Sequence, residues 1–160
     1  MEYSKLSKKA LTCMYVKSLI WFIICTSVIL LINLLFYEEW PDVVSIILYI
    51  VICLHFLYLL IAPKIRYERY RYRLTDEEFE VRKGLLVIHT AVIPIERLHK
   101  IEISAGPIFR AFGLKEVDVT TAGSDLNVSF LENEVADQIA RHLTKRINAI
   151  VVEEKAYGEQ

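Results

Sequence analysis

Two long stretches without a charged residue lie close together near the beginning of the chain. They run from Ser18 to Tyr37 and from Val43 to Ala62, and only Glu38-Glu39-Trp40-Pro41-Asp42 separates them. Each stretch has about 20 residues, and a helix of that length, rising about 1.5 Å per residue, crosses a hydrocarbon core of about 30 Å. The pattern therefore predicts a transmembrane helical hairpin over residues 18–62.

Basic residues flank this hairpin, whereas the loop within it is acidic. Residues 1–17 carry a net charge of +3, residues 64–73 carry +4, and the loop carries −3. Because Lys and Arg accumulate on the cytoplasmic side of membrane segments, we expect a multi-pass protein of the cell membrane with both termini in the cytoplasm. Residues 1–17 are then a cytoplasmic N-terminal segment.

After the second stretch the pattern changes from unbroken apolar to alternating. From Arg69 to Leu74 arginines alternate with apolar or aromatic residues. Successive side chains of a strand point to opposite faces, so one face is cationic and the other enters a core. With the arginine just before this strand, four basic residues are predicted to contact anionic lipid of the inner leaflet: Arg66, Arg69, Arg71 and Arg73.

The remaining pattern predicts a small α+β domain over residues 63–151. Short β-rich runs predict strands at 79–82, 85–95, 98–104, 116–121 and 126–131, with a tight turn at Lys83-Gly84. Apolar residues at every fourth position from Val135 to Ile147 predict an amphipathic helix from Asn133 to Val151. We expect bent antiparallel β-sheets capped by this C-terminal helix, and a disordered tail over residues 152–160.

Several motifs of this region, in this order, carry a resemblance to a known family. They are Ala62-Pro63-Lys64-Ile65-Arg66, Arg71-Tyr72-Arg73-Leu74, Lys83-Gly84-Leu85 and the segments 92–98, 106–114 and 117–123. With them the chain resembles the bacterial pleckstrin-homology-like family, formerly called the membrane-flanked domain. Two spans followed by one such domain are similar to YdbS-like membrane proteins. The resemblance implies a pleckstrin-homology-like fold, and it implies no established reaction, cofactor or ligand.

Residue patterns typical of catalysis or metal binding are missing from the sequence. The soluble histidines His89, His99 and His142 have no paired spacing, and the three cysteines form no CxxC motif. We therefore expect no catalytic residue, cofactor, metal or small-molecule ligand. Residues 74–150 carry a net charge of −3, which argues against nucleic acid as a partner. The acidic turn Thr75-Asp76-Glu77-Glu78 would repel a phosphorylated inositol headgroup.

One histidine lies within the predicted spans. If the helices pair symmetrically about the outer loop, His55 lies opposite Cys25 and Thr26. A hydrogen bond between the helices and a proton relay are both compatible with a buried imidazole. We favour the hydrogen bond, because neither span contains Asp, Glu, Lys or Arg.

The segment from Gly106 to Gly113 is more apolar than a solvated loop usually is. Two interpretations remain open: a helical turn that plugs the core of the domain, or a docking surface for another membrane protein or the bilayer. In the second case the expected docking residues are Ile108, Phe109 and Arg110, while Phe112 turns inward.

These features together predict a membrane-tethered binding or scaffolding module that belongs to a membrane protein complex at the inner leaflet. Its expected partners are the bilayer itself and a larger membrane protein that carries related domains, as the resemblance suggests. The alternative is an accessory subunit of a membrane enzyme or transporter that acts on lipids or antimicrobial compounds.

Overall fold

Two long helices form the first part of the fold. The computed structural model describes residues 3–36 and 41–158, in which helix α1 spans Lys8–Phe36 and helix α2 spans Asp42–Arg69. Both are long and apolar enough to cross a membrane. Most of their large apolar side chains are exposed, which is typical of helices surrounded by lipid. The predicted loop residues 37–40 lie outside the described part of the chain.

Three contacts between the helices define how they pair. Asn33 Nδ2 donates a hydrogen bond to Ser45 Oγ over 2.8 Å, and both side chains are buried. The His55 ring packs edge-on against Phe22, with 5.3 Å between the ring centres, and Tyr15 donates to the Leu60 carbonyl. The predicted position of His55 opposite Cys25 and Thr26 is therefore wrong by about one helical turn. The register is close to symmetric about the loop at Asn33 and Ser45 and departs from symmetry toward the other end of the hairpin, at Tyr15 and Leu60.

The first sheet has four antiparallel strands in the order β1-β2-β3-β4. They span Ser4–Lys5, Arg71–Leu74, Glu78–Lys83 and His89–Pro94. The strand predicted from Leu85 thus begins later, at His89. Gly84 has a φ of +154°, which only glycine adopts readily, and the chain turns there instead of continuing as a strand.

The second sheet has three antiparallel strands in the order β5-β6-β7. They span Leu98–Ser104, Leu114–Thr121 and Asp125–Glu132. A 3₁₀ turn, Ile95–Arg97, joins the two sheets, and the short helix α3, Pro107–Ala111, joins β5 to β6. Alternate residues of β6, such as Val117 and Val119, are fully buried between the sheets.

Helix α4, Asn133–Gly158, covers the second sheet as predicted. Ala136, Ile139 and Leu143 are buried in the same core as Val117 and Val119, so the two sheets and this helix share one hydrophobic core. The fold is α+β with a C-terminal helical cap, as the pattern predicts.

The helix continues beyond the predicted end at Val151. It is helical up to Gly158, so the tail expected to be disordered is helical over most of its length. Residues 151–157 contain neither Pro nor Gly, and Glu, Lys and Ala are good helix formers. Gly158 is the first residue that favours an end to the helix.

The N-terminal segment belongs to the domain, although the sequence assigned it no role beyond topology. β1 pairs with β2 in the register Ser4 to Tyr72 and Lys5 to Arg71. Leu6, Ala10 and Met14 are buried in the core of the domain. From Ser4 onward the chain therefore runs first through the domain, enters the hairpin through the first turns of α1 and returns to the domain through α2.

Candidate functional site

Helix α3 closes the domain on the side of the hairpin. Phe109 is 7% exposed and packs with Cys13 of α1 and Leu114 of β6. Its ring also meets Phe130 edge-on at 5.1 Å. Of the three residues predicted to dock a partner, Phe109 is thus buried, Ile108 is half-buried and Arg110 is exposed. The segment is a helical plug at Phe109, because a single turn beginning at Pro107 points that side chain at α1.

A β-bulge directs Phe130 toward the same place. Lys115 pairs with Leu131 and Val117 with Val128, so two residues of β7 lie opposite one residue of β6. Phe130, one of these two β7 residues, has a φ of 65°, a left-handed conformation that is strained for an aromatic side chain. Strain of this kind often occurs at binding sites. Here it holds the ring against Phe109 and beside α1.

A cavity of about 540 Å³ lies where the hairpin meets the domain. We call it the juxtamembrane cavity. It is bordered by residues of both long helices and of the domain, among them Lys17, Trp21, Tyr58, Arg66, Ile108 and Phe130. Two residues singled out from the sequence for separate reasons, Arg66 and Ile108, therefore line one site.

The juxtamembrane cavity is cationic at its border. Lys17 Nζ lies 5.4 Å from the centre of the Phe109 ring and 5.9 Å from that of Phe130. The Arg66 guanidinium lies 5.8 Å from the centre of the Tyr58 ring and donates a hydrogen bond to its hydroxyl. No carboxylate of the described residues lines the cavity. A site with two cations, aromatic rings and apolar walls suits an anionic headgroup attached to a hydrocarbon chain.

The other predicted basic residues do not form one cationic strand face. Arg69 is the last residue of α2 and donates to the carbonyl of Leu85. Arg71 lies in β2 and bonds to the carbonyl of Tyr70 over 2.7 Å. Arg69 is exposed and Arg71 is half-buried, and neither of them lines the juxtamembrane cavity.

Arg73 is half-buried and is held by ion pairs within the domain. Its guanidinium forms ion pairs of 2.7 Å with Glu78 and 2.8 Å with the buried Glu80. Tyr3 donates a 2.6 Å hydrogen bond to Glu80, which raises the pKa of the Tyr3 hydroxyl, and Arg73 lies 5.3 Å from the centre of the Tyr3 ring. Arg73 therefore contacts two carboxylates where the sequence predicts lipid headgroups, and these carboxylates neutralise its charge. The period-two pattern of the strand could not reveal this contact.

The sequence missed three residues of the site. The sequence-based prediction includes Lys17 only through topology, and it does not include Tyr58 or Phe130. The available signals were the position of Lys17 as the last charge before the first span and the place of Tyr58 two turns before Arg66 in α2. In the described part of the chain, no group of three or more His, Cys, Asp or Glu residues is placed to hold a metal ion.

Known proteins resemble this chain over most of its length. The sequence matches the family model described as Bacterial PH domain over residues 18–147. It is 26% identical to the UPF0699 transmembrane protein YdbS of Bacillus subtilis (strain 168) over 124 residues, which are 76% of this chain and 78% of that protein. It is 30% identical to the UPF0699 transmembrane protein YdbT of the same organism over 95 residues, 57% of this chain but 19% of that protein. No solved structure matches the chain.

Proposed function

Because this chain belongs to the bacterial PH domain family and is associated with the membrane, we propose that it is a membrane-tethered module that binds anionic phospholipid in the juxtamembrane cavity. The observation that carries this proposal is that Lys17 and Arg66 line the same cavity, which no carboxylate of the described residues borders. Both residues lie just beyond the ends of the charge-free stretches, at the depth expected for headgroups.

The way in which the domain is attached supports a fixed position at the membrane. β1 pairs with β2, Phe109 of α3 packs on Cys13 of α1, and α2 leads into β2 through Tyr70 alone. Three attachments leave the domain little freedom to rotate relative to the hairpin. A lipid bound between them would therefore contact a preformed site, which reduces the entropic cost of binding.

We place this side of the membrane in the cytoplasm. The N-terminal segment and residues 64–73 are basic, and the loop at the other end of the hairpin is acidic. Anionic lipid of the inner leaflet attracts basic residues by about 1 kcal/mol each near the surface. The proposed ligand and the proposed orientation thus depend on the same charges.

Tryptophan fluorescence tests the lipid site directly, since Trp21 lines the cavity. A Trp40→Phe variant leaves Trp21 as the single tryptophan of the chain. In nanodiscs that contain brominated phosphatidylglycerol among unlabelled lipid, Trp21 should be quenched more than with the same fraction of brominated phosphatidylcholine. Replacing Lys17 and Arg66 by Gln should remove this preference, by about fivefold in relative affinity for each charge.

A matched control separates the site from general surface charge. Lys8→Gln with Lys64→Gln removes the same charge from two exposed residues that do not line the cavity. The preference for phosphatidylglycerol should survive in this control. Equal quenching by both lipids in the protein with Lys17 and Arg66 intact would contradict the proposal. So would an equal loss of the phosphatidylglycerol preference in the two double variants.

A protein partner is a second proposal, and it is supported by the edge of the first sheet. β4 is the outer strand of that sheet, and Thr90, Ala91 and Val92 are exposed and uncharged. Edge strands are usually protected by charged residues, and an unprotected edge can accept a strand from a partner. Relatives exist both as a chain of similar length and as a much longer one. We therefore propose a longer membrane protein with related domains as the partner of β4.

Co-purification tests this partner. Ala91→Lys places a charge on the edge of β4 and should abolish co-purification with the longer related protein of the same cell, without changing the melting temperature. Ser104→Lys, at an exposed residue of β5, is the control and should leave co-purification intact. Retention of the partner by the Ala91→Lys variant would exclude this edge as its binding surface.

A further inference from the structure

The connection between β3 and β4 exposes an unusual amount of apolar surface. Leu86, Val87 and Ile88 are 90%, 66% and 40% exposed and follow one another directly in the chain. We name residues 85–88 the apolar tip. Exposed apolar clusters of this kind usually mark an interaction site.

The apolar tip has a defined conformation. Gly84 has a φ of +154°, and a side chain there would collide with the carbonyl oxygen of Val87, so the backbone folds tightly over this glycine. The carbonyl of Leu85 accepts a hydrogen bond from Arg69 Nη1. The tip is thus fastened to the last residue of α2.

The strand register places the apolar tip at the membrane end of the domain. β2 begins just after α2, and its first residue, Arg71, pairs with Arg82 near the end of β3. The tip follows β3 directly, so it extends past the start of β2 toward the helix. Arg69 lies seven residues after Ala62, the last residue of the charge-free stretch. That is about 10 Å along a helix, which places Arg69 near the outer boundary of a headgroup layer about 5 to 8 Å thick.

The charges around the apolar tip favour the same surface. The tip itself is uncharged, Arg69 donates to its Leu85 carbonyl, and Arg82, an exposed residue, and Lys83 precede it at the end of β3. Apolar residues flanked by basic ones are the combination that binds to the interface of a membrane that contains anionic lipid. A protein partner does not require this combination, whereas a bilayer surface next to the helix end offers both parts of it.

We propose that the apolar tip inserts Leu86 and Val87 into the headgroup interface of the bilayer. The leaflet concerned is the one from which α2 emerges before it joins β2. The tip is then a membrane contact in addition to the two spans. It anchors the side of the domain next to α2 at the bilayer surface, in addition to the three attachments between the domain and the hairpin. This contact involves none of the residues that line the juxtamembrane cavity.

A single tryptophan at the tip tests this insertion in the full chain. Leu86→Trp is made together with Trp21→Phe and Trp40→Phe, which remove both native tryptophans. In nanodiscs, lipids brominated near the headgroup end of the acyl chain should quench this tryptophan at least about twofold, and its emission should shift to the blue. Ser124→Trp in the same background is the control, because Ser124 is exposed in the turn between β6 and β7, outside the apolar tip.

The proposal is supported if brominated lipid quenches the tryptophan of the Leu86→Trp variant and does not quench that of the Ser124→Trp control. Equal accessibility of both to an aqueous quencher, with no effect of brominated lipid, would overturn it. Protection of the tip without lipid quenching would also overturn it, since a protein would then cover the surface. As a second variant, Val87→Trp keeps the test open if the first variant does not fold, which its melting curve would reveal.

Discussion

The ammonium group of Lys17 lies 5.4 Å from the centre of the Phe109 ring. The first residue belongs to the helix that enters the membrane, and the second belongs to the short helix that closes the domain. Cys13, one turn earlier in α1, packs against the same ring. The hairpin and the domain are therefore joined by side-chain packing as well as by the chain itself, and the predictions below depend on that packing.

Phe109→Ser should destabilise the domain rather than remove a docking contact. Phe109 is buried against Cys13 and Leu114, and loss of a buried phenylalanine costs about 3 to 5 kcal/mol. The measurement is thermal unfolding of the full chain in detergent. Arg110→Ala is the control, and it should cost less than about 1 kcal/mol because Arg110 is exposed. Equal stability of the two variants would mean that Phe109 is a surface residue.

Leu6→Ala should destabilise the domain although Leu6 lies before the first span. The Leu6 side chain is 5% exposed in the shared core, and Tyr67 donates a hydrogen bond to its carbonyl. Truncation of a buried leucine costs about 2 to 5 kcal/mol. Lys5→Ala, at an exposed neighbour, should have little effect. If the melting temperatures of the two variants coincide, the N-terminal segment is not part of the core.

The stability of the domain should fall between pH 10 and pH 12. Burial raises the pKa of Tyr70 from 10.0 to about 12, and its hydroxyl accepts a hydrogen bond from the Ser129 amide. The folded state therefore keeps the neutral phenol. Stability is intact below the unfolded pKa and is lost as the pH rises to the folded one, by about 1.4 kcal/mol per pH unit.

Tyr70→Phe isolates this effect. The variant lacks the ionisable hydroxyl, whereas Tyr3 and Tyr72, whose pKa values are also raised, are present in both proteins. Unfolding measured at several pH values from 9 upward should show a smaller loss in the variant. The same pH dependence in both proteins would show that Tyr70 is not protected from ionisation.

Cysteine labelling of intact cells tests the proposed topology. A cysteine at Glu39, in the acidic loop, should react with a reagent that does not cross the membrane. A cysteine at Gly123, in the exposed turn between β6 and β7, should react only after the cells are opened. The reverse pattern would place the domain outside the cell and remove inner-leaflet lipid as a ligand.

The sequence was sufficient for the parts of the fold that depend on periodicity. Unbroken apolar runs predicted α1 and α2, because a helix that is apolar on all sides suits a lipid environment. The four-residue spacing of Ile139 and Leu143 predicted the covering helix, because it places both side chains on the face that packs on the core. The same reasoning failed where tertiary contacts decide. Nothing in the pattern indicates that Ser4 pairs with Tyr72. This strand pairing forms only because α1 and α2 return the chain to the N-terminal segment.

The site was only partly predictable for the same reason. The sequence predicts a lipid contact for Arg66 and a docking contact for Ile108. Both line one cavity because of the way in which α3 packs against the hairpin. Arg73 was assigned to the membrane because its neighbours alternate in the expected way, yet Glu80 from the next strand takes up its charge. The apolar tip had a visible signal: consecutive apolar residues after Gly84 break the alternation of a half-buried strand.

Native mass spectrometry of the detergent-purified chain is the most direct test of the lipid site. Bound phospholipid is counted and identified in the unsubstituted protein, in the Lys17→Gln, Arg66→Gln variant, and in the Lys8→Gln, Lys64→Gln control. We predict a phosphatidylglycerol adduct that persists in the protein and the control and disappears from the cavity variant. The same adduct in all three, or none in any of them, would contradict the assignment of the juxtamembrane cavity as an anionic lipid site.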